Sequence, residues 1–462
     1  NLNAVYIGSG SGASVLNAGT LIGGNAAIYG DGTNASITNY GLIRITGGAN
    51  NSVISGIYLA AAGANITNSG TIESTLATGR GIYLAGANGT ITNQSGGTIS
   101  GGASGMAILL TGAGYTLDLR SGSTVTGLIN AGPSTGTNTV MLAGTLNGDY
   151  AGGAAADNVT LTDSAIVTGL LDGAAGSDAL TLDIATTSAF DMGRASNFES
   201  RVKAGAGTLT LSGVDGQAID WTITAGTLAA SGGSAIHDGA GVTIAPAGTL
   251  ALLSDETIRA LGGFGVVDLA GNSLTISGAD TTVFAGSIAG TGNLLLIGTG
   301  STTLSGANSY TGATFIDNGT LILGANDVLA DASTVSVTDD ATLDLGAFAD
   351  TVATLALAGT LNGTGTLTAA SYQLTGASVN ANLGTGVVLN LGGTSTLNGI
   401  AAGDVLVSGG TLVLGAAERL ADSALLEVAS GATLNLGTFS ETVAQATLFG
   451  TLAGSGLLSA AN

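Results

Sequence analysis

Two glycine-rich nonapeptides place carboxylates where they could hold a cation. Gly173 to Thr181 reads GAAGSDALT and follows, with one change, the G-G-x-G-x-D-x-U-x pattern of a calcium-binding β-roll. Gly152 to Thr160 reads GGAAADNVT and follows it with a different change, so that Asp157 lies 21 residues before Asp178. With Asp172 these are the candidate calcium ligands, and calcium is the one cofactor the chain suggests. A true roll shares each ion between tandem half-turns. Here the nonapeptides stand alone, which favours the competing reading of ordinary Gly/Asp corners.

Other chemistry is sparse. A Ser-His-Asp arrangement needs an imidazole, and the single histidine, His237, sits in GSAIHDGAG beside Asp238, where strand alternation turns consecutive side chains to opposite faces. It reads as an exposed turn residue. Carboxylate pairs for polysaccharide cleavage exist at Asp339-Asp340, Asp255-Glu256 and Asp215/Asp220. None comes with a basic partner or an aromatic platform. Trp221 and Tyr310, the two stacking surfaces available, read as inward residues. No catalytic residue is assigned, and the chain reads as a non-enzyme. The stretch from Ser188 to Gly205 is the one candidate for a decorated lateral loop, because it gathers Arg194, Arg201 and Lys203, three of the eight basic residues. Its plainer reading is a junction between repeat types.

These residues must be positioned by a chain of 462 residues with 80 Gly, 2 Pro, no Cys and a formal charge of −22. At 45% hydrophobic it has the apolar content to fold, and at 8% charged it differs from an ordinary globular enzyme. One lysine among thirty acidic residues argues against nucleic acid as a partner. The chain opens without a basic-then-apolar leader, and it has neither an apolar run of membrane-helix length nor the girdled alternating strands of a membrane barrel.

Repeats dominate. The fifty or so residues from Gly319 recur 91 residues later from Gly410, with Leu321, Leu343, Phe348, Val352 and Leu361 matched by Leu412, Leu434, Phe439, Val443 and Leu452. A more divergent copy precedes them. Nearer the N-terminus VLNAGTL, ITNYGLI, ITNSGTI and ITNQSGGTI carry Asn17, Asn39, Asn68 and Asn93, interleaved with AIYG, GIYL, GIYL and GMAIL. Each unit is a short alternating strand bounded by Gly, Asn or Asp, which cannot cover its own apolar face and must be covered by a neighbouring coil. The prediction is an all-β protein, a parallel β-helix (β-solenoid) of about 20 coils and, at ~4.8 Å per coil, a rod near 100 Å long. Only GANDVLADAS and GAAERLADSA, starting at Gly324 and Gly415, look capable of a helical turn. Three regions are expected: 1–115 with the ITNxG and GIYL coils, 116–200 with the degenerate calcium-like corners, and 201–462 with three long repeats.

The segment from Gly286 to Gly324, GSIAGTGNLLLIGTGSTTLSGANSYTGATFIDNGTLILG, resembles the autotransporter-associated β-strand repeat of bacterial autotransporter passengers through Gly290, Gly292, the LSGANSYTG core around Tyr310 and the NGTLILG ending. The resemblance implies a right-handed parallel β-helix exported across the outer membrane. It further implies a secreted or cell-surface protein and, without leader or barrel, a processed passenger or a fragment of one. The expected function is structural and adhesive: an adhesin, biofilm matrix component or filament subunit. Expected partners are other copies, through coil ends or lateral faces, and a host or neighbouring-cell surface or polysaccharide. The alternative is a passenger carrying a polysaccharide-binding or polysaccharide-cleaving site on a lateral loop.

Overall fold

The computed structural model describes residues 3–47, 54–103 and 105–460. Short strands alternate buried and outward side chains as their sequences dictate. In Ser36–Asn39 (SITN), Ile37 and Asn39 face inward, and Thr411–Leu414 (TLVL) buries Leu412 and Leu414. Each strand pairs in parallel with its counterpart one coil later. Ile28, Ile57, Ile82 and Ile108 therefore form one buried aliphatic column, and Leu343, Leu361, Val379 and Leu397 form another. The latter four stand 18 residues apart, so coils here are tighter than the 20 to 25 residues expected. The fold is a parallel β-solenoid. Of helix, the described residues contain one 3-10 turn, Met192–Arg194. The two segments expected to form helical turns are bends and turns instead, because a buried carboxylate from the next coil holds each one, as described below.

The chain groups into two units, Asn1–Thr227 and Leu228–Asn462. In the first, one sheet runs from Val5–Ile7 to Ala195–Ser196 and a second from Thr20–Gly23 to Ile166–Val167. A third stacks Ser14–Asn17, Ser36–Asn39, Asn65–Asn68 and Thr90–Asn93. The second unit carries a long sheet from Glu256–Ile258 to Gln445–Leu448. Facing it is a column that includes Gly319–Leu323, Ala341–Asp344 and Thr360–Asn362.

The Asn-x-Gly phrase has a physical cause. Asn17 Nδ2 donates to Asn39 Oδ1 at 2.7 Å, Asn39 Nδ2 to Asn68 Oδ1 at 2.8 Å, and Asn68 Nδ2 to Asn93 Oδ1 at 2.8 Å. Each amide also donates to backbone carbonyls, Asn68 for instance to Gly70 and Thr98, both at 3.1 Å. These are buried amides turning a corner, where the backbone alone would leave carbonyls unpaired. The glycine two residues on is required by space: a Cβ on Gly70 would lie 2.1 Å from the Gly41 carbonyl oxygen.

Replacing Asn68 with Ala takes one acceptor from the Asn39 amide, which keeps the Gly41 and Thr71 carbonyls, and leaves the buried Asn93 oxygen without its donor, at an expected cost of about 1–3 kcal/mol. Hydrogen exchange across residues 36–93 is expected to accelerate while exchange in the second unit stays unchanged. Unchanged protection in 36–93 would show that the ladder contributes nothing.

Candidate functional site

The calcium-like corners form a staircase of side chains that cap the preceding coil. Asn138 Oδ1 accepts the Tyr115 N–H at 3.2 Å, Asp178 Oδ1 the Asp157 N–H at 2.6 Å, and Glu199 Oε2 the Asp178 N–H at 2.7 Å. Asp157 is fully buried. Its Oδ1 accepts Asn138 Nδ2 at 2.6 Å and the Tyr150 hydroxyl at 2.9 Å, and its Oδ2 accepts the Gly153 N–H at 2.7 Å. Asp172 lies outside this corner. Its Oδ1 accepts the Ala174 N–H at 2.9 Å and Asn197 Nδ2 at 2.7 Å. Burial, reinforced by the Asp157, Glu199 and Asp172 carboxylates, pushes the Asp178 carboxyl up to about 6, against the opposing Asp157 N–H. Among the described residues no three His, Cys, Asp or Glu side chains converge as a metal ion needs. A cation here would have to compete with these backbone caps.

The basic stretch is no exposed loop. Strands Thr187–Asp191 and Ser200–Ala204 make it part of two coils, and Arg201 and Lys203 both point inward. Arg201 forms a fully buried ion pair with Asp215 and also reaches the Gln217 carbonyl at 3.3 Å. Lys203 Nζ donates to the carbonyls of Ala204 at 2.6 Å, Gly205 at 2.8 Å and Ala225 at 3.1 Å, and burial lowers its pKa. Alternation along Arg201-Val202-Lys203 explains why both cations share the inner face. Arg194 alone reaches the surface. It pairs with Asp191 at 3.7 Å and with the Thr168 carbonyl, beside a groove of about 370 Å³ lined by Ile166, Phe190 and Leu209. Removing Arg201 leaves a buried carboxylate uncompensated. Arg201→Ala is expected to destabilise the first unit by about 3–5 kcal/mol, whereas Arg201→Met with Asp215→Leu restores most of that stability. Equal losses in a urea titration of the two variants would contradict the inward pair.

The carboxylate pairs also separate by face. Glu256 is buried and Asp255 exposed, Asp215 is buried and Asp220 exposed, while Asp339 and Asp340 are both exposed. His237 is half-buried in its turn, where its Nδ1 accepts the Gly239 N–H at 2.9 Å. Trp221 and Tyr310 are core residues.

The long repeats share a feature that the sequence reading missed. Glu256-Thr257-Ile258, Asp350-Thr351-Val352 and Glu441-Thr442-Val443 each bury the acidic residue and the β-branched one. Asp350 Oδ2 accepts the Val328 and Leu329 N–H groups at 2.8 and 3.0 Å. Glu441 accepts those of Arg419 and Leu420, both at 2.9 Å. These bonds hold the GANDVLADAS and GAAERLADSA loops. Burial raises all three pKa values. At Glu256 the Ile236 N–H opposes the rise only in part, Asp238 adds to it, and the carboxyl is pushed up to about 7. The recurring acidic-Thr-β-branched triplet was the available signal. The Glu256 carboxyl keeps its proton in the fold at pH values where the unfolded chain has lost it. Stability is therefore complete below the ordinary glutamate range and falls as pH rises through about 7, by on the order of 3 kcal/mol at most. Glu256→Gln is expected to flatten that slope in melting curves from pH 4.5 to 8, and an unaltered slope would refute the assignment.

A second missed feature lies on the surface. The recurring AIYG and GIYL phrases put Tyr29, Tyr58 and Tyr83 in register with Tyr6 on four successive coils. Their ring centroids are 5.8, 5.1 and 4.9 Å apart. Arg80 lies over the Tyr83 ring at 5.2 Å, and the Tyr6 hydroxyl donates to Asp31 at 3.1 Å. Tyr6 is 62% exposed and the other three are half-buried. Tyrosine at the outward position of a strand otherwise filled with Ile, Gly and Leu was the signal.

Comparison with known proteins accounts for the repeat phrases. The passenger-associated-transport-repeat model matches residues 202–230 and 290–323, the latter covering most of the segment from Gly286 to Gly324. These two stretches carry the repeat found in transported passengers. Over 146 residues it is 32% identical to a protein of Brucella suis biovar 1 (strain 1330) described as "Adhesin BmaC autotransporter". That stretch covers 31% of this chain and 4% of the relative, so the passenger corresponds to a small part of a much longer protein. The repeat model and the autotransporter relative support secretion to the bacterial cell surface. Among the described residues no helix is long and apolar enough to cross a membrane.

Proposed function

We propose that this passenger is a non-enzymatic adhesive module of the bacterial surface. One observation carries the reading: the residues best suited to catalysis are occupied in structural caps, whereas ordered side-chain rows face outward. Asp157, Asp215, Asp350, Glu441, Arg201 and Lys203 are all bonded inside the coils. The tyrosine row stands on the outside. The relative described as an adhesin supports the same reading. Lateral packing between copies is a finer element of this proposal, served by outward apolar side chains such as Leu391, Leu425 and Val387 on the long sheet of the second unit.

Displayed on a non-adherent bacterium through a heterologous barrel, the passenger is expected to raise attachment to cultured cells or to polysaccharide-coated plates above that of the barrel alone. Attachment equal to that of the bare barrel on every surface would overturn the adhesive reading.

A further inference from the structure

The tyrosine row of the first unit has the form of a binding track. Tyr6 and Tyr29 stack, Tyr29 and Tyr58 are tilted and Tyr58 and Tyr83 meet edge to face, with centroids 5.8, 5.1 and 4.9 Å apart, so the row carries a phenolic hydroxyl on each coil at close to the coil spacing of about 4.8 Å. Tyr6 is in register with Tyr29 and carries the row onto the coil before it. The shoulder beside the row is low. The corners that follow these strands are built from Ala60-Ala61-Ala62-Gly63 and Ala85-Gly86-Ala87, stacked so closely that a Cβ on Gly86 would lie 2.0 Å from the Ala61 backbone. Polar groups flank the row. Asp31 accepts from the Tyr6 hydroxyl and raises its pKa, burial with a lesser contribution from Asp31 raises that of Tyr29, and Arg80 covers Tyr83.

We infer that this row binds a linear, uncharged β-1,4-linked polysaccharide laid along the coil axis, one sugar to each tyrosine. Equatorially linked sugars advance by nearly the coil spacing and carry hydroxyls along both edges of the chain. Each phenol can then donate to or accept from successive sugars. Charge selects the class: a chain of net charge −22, with Asp31 bonded into the track, repels acidic polymers. Asp31 itself accepts from sugar hydroxyls.

This inference rests on the adhesive reading, and its test separates the two. The full chain is titrated with cellohexaose and chitohexaose, with oligogalacturonate as the acidic comparison, alongside Tyr58→Phe and the triple variant Tyr29→Phe, Tyr58→Phe, Tyr83→Phe. Phenylalanine keeps the stack and removes the hydroxyls. The expected result is binding of a neutral hexasaccharide, none of the acidic one, a loss of about tenfold or more in the triple variant with a smaller loss in the single one, and unchanged melting temperatures. Failure of both neutral sugars to bind, or equal binding by the triple variant, overturns the track. Attachment of displaying bacteria that persists without sugar binding would sink the track and leave the adhesive reading standing. Sugar binding by a passenger that mediates no attachment would do the reverse.

Discussion

No coil of this protein can satisfy itself. A strand of three to five residues has one apolar face, and its amides point along the stacking direction, so both its side chains and its backbone find partners only in the coils before and after it. The alternating sequence, the aliphatic columns through Ile57 and Leu361 and the parallel register all follow from that dependence. The low charge content follows as well. A charge on the inner face must be matched on the spot, because no bulk core is available in which to hide it.

Polar residues that do turn inward are accordingly backbone ligands. Asn39 and Asn68 bond to each other and to corner carbonyls, Asp178 and Glu199 each take an amide from the coil before, and Asp350 and Glu441 each take two from a loop. Lys203, the single lysine, spends its ammonium on three carbonyls. The corners and loops are thereby held without helices. Burial raises the pKa of the Glu256, Asp350 and Glu441 carboxyls, so protonation of these three relieves a desolvation cost that ionisation imposes.

With the interior committed to support, recognition is left to side chains that face out, and stacking gives those side chains a period. Any outward residue kept in successive coils becomes a row at about the strand spacing. The Tyr6 to Tyr83 row is one such feature, assembled from residues far apart in the chain. A solenoid of this kind therefore presents recognition groups distributed along a face.

The sequence by itself determined the fold class and the resemblance of its long repeats to passenger repeats. Stacking repeats a local pattern, and Asn39, Asn68 and Asn93 or Leu343 and Leu434 show that pattern without any three-dimensional information. It also placed Trp221 and Tyr310 in the core. It did not determine which way a side chain points at a corner or which coil lies above another. The caps that Asp157 and Asp178 make on neighbouring backbone were therefore not legible, and Arg201 and Lys203 looked like part of a basic stretch although both turn inward. Glu256, Asp350 and Glu441, like the four tyrosines, were present as short triplets and phrases whose meaning depends on a neighbour 17 to 29 residues away. Only the tertiary structure supplies that neighbour, because the register between coils is set by packing and hydrogen bonds across the stack and not by residues adjacent in the chain.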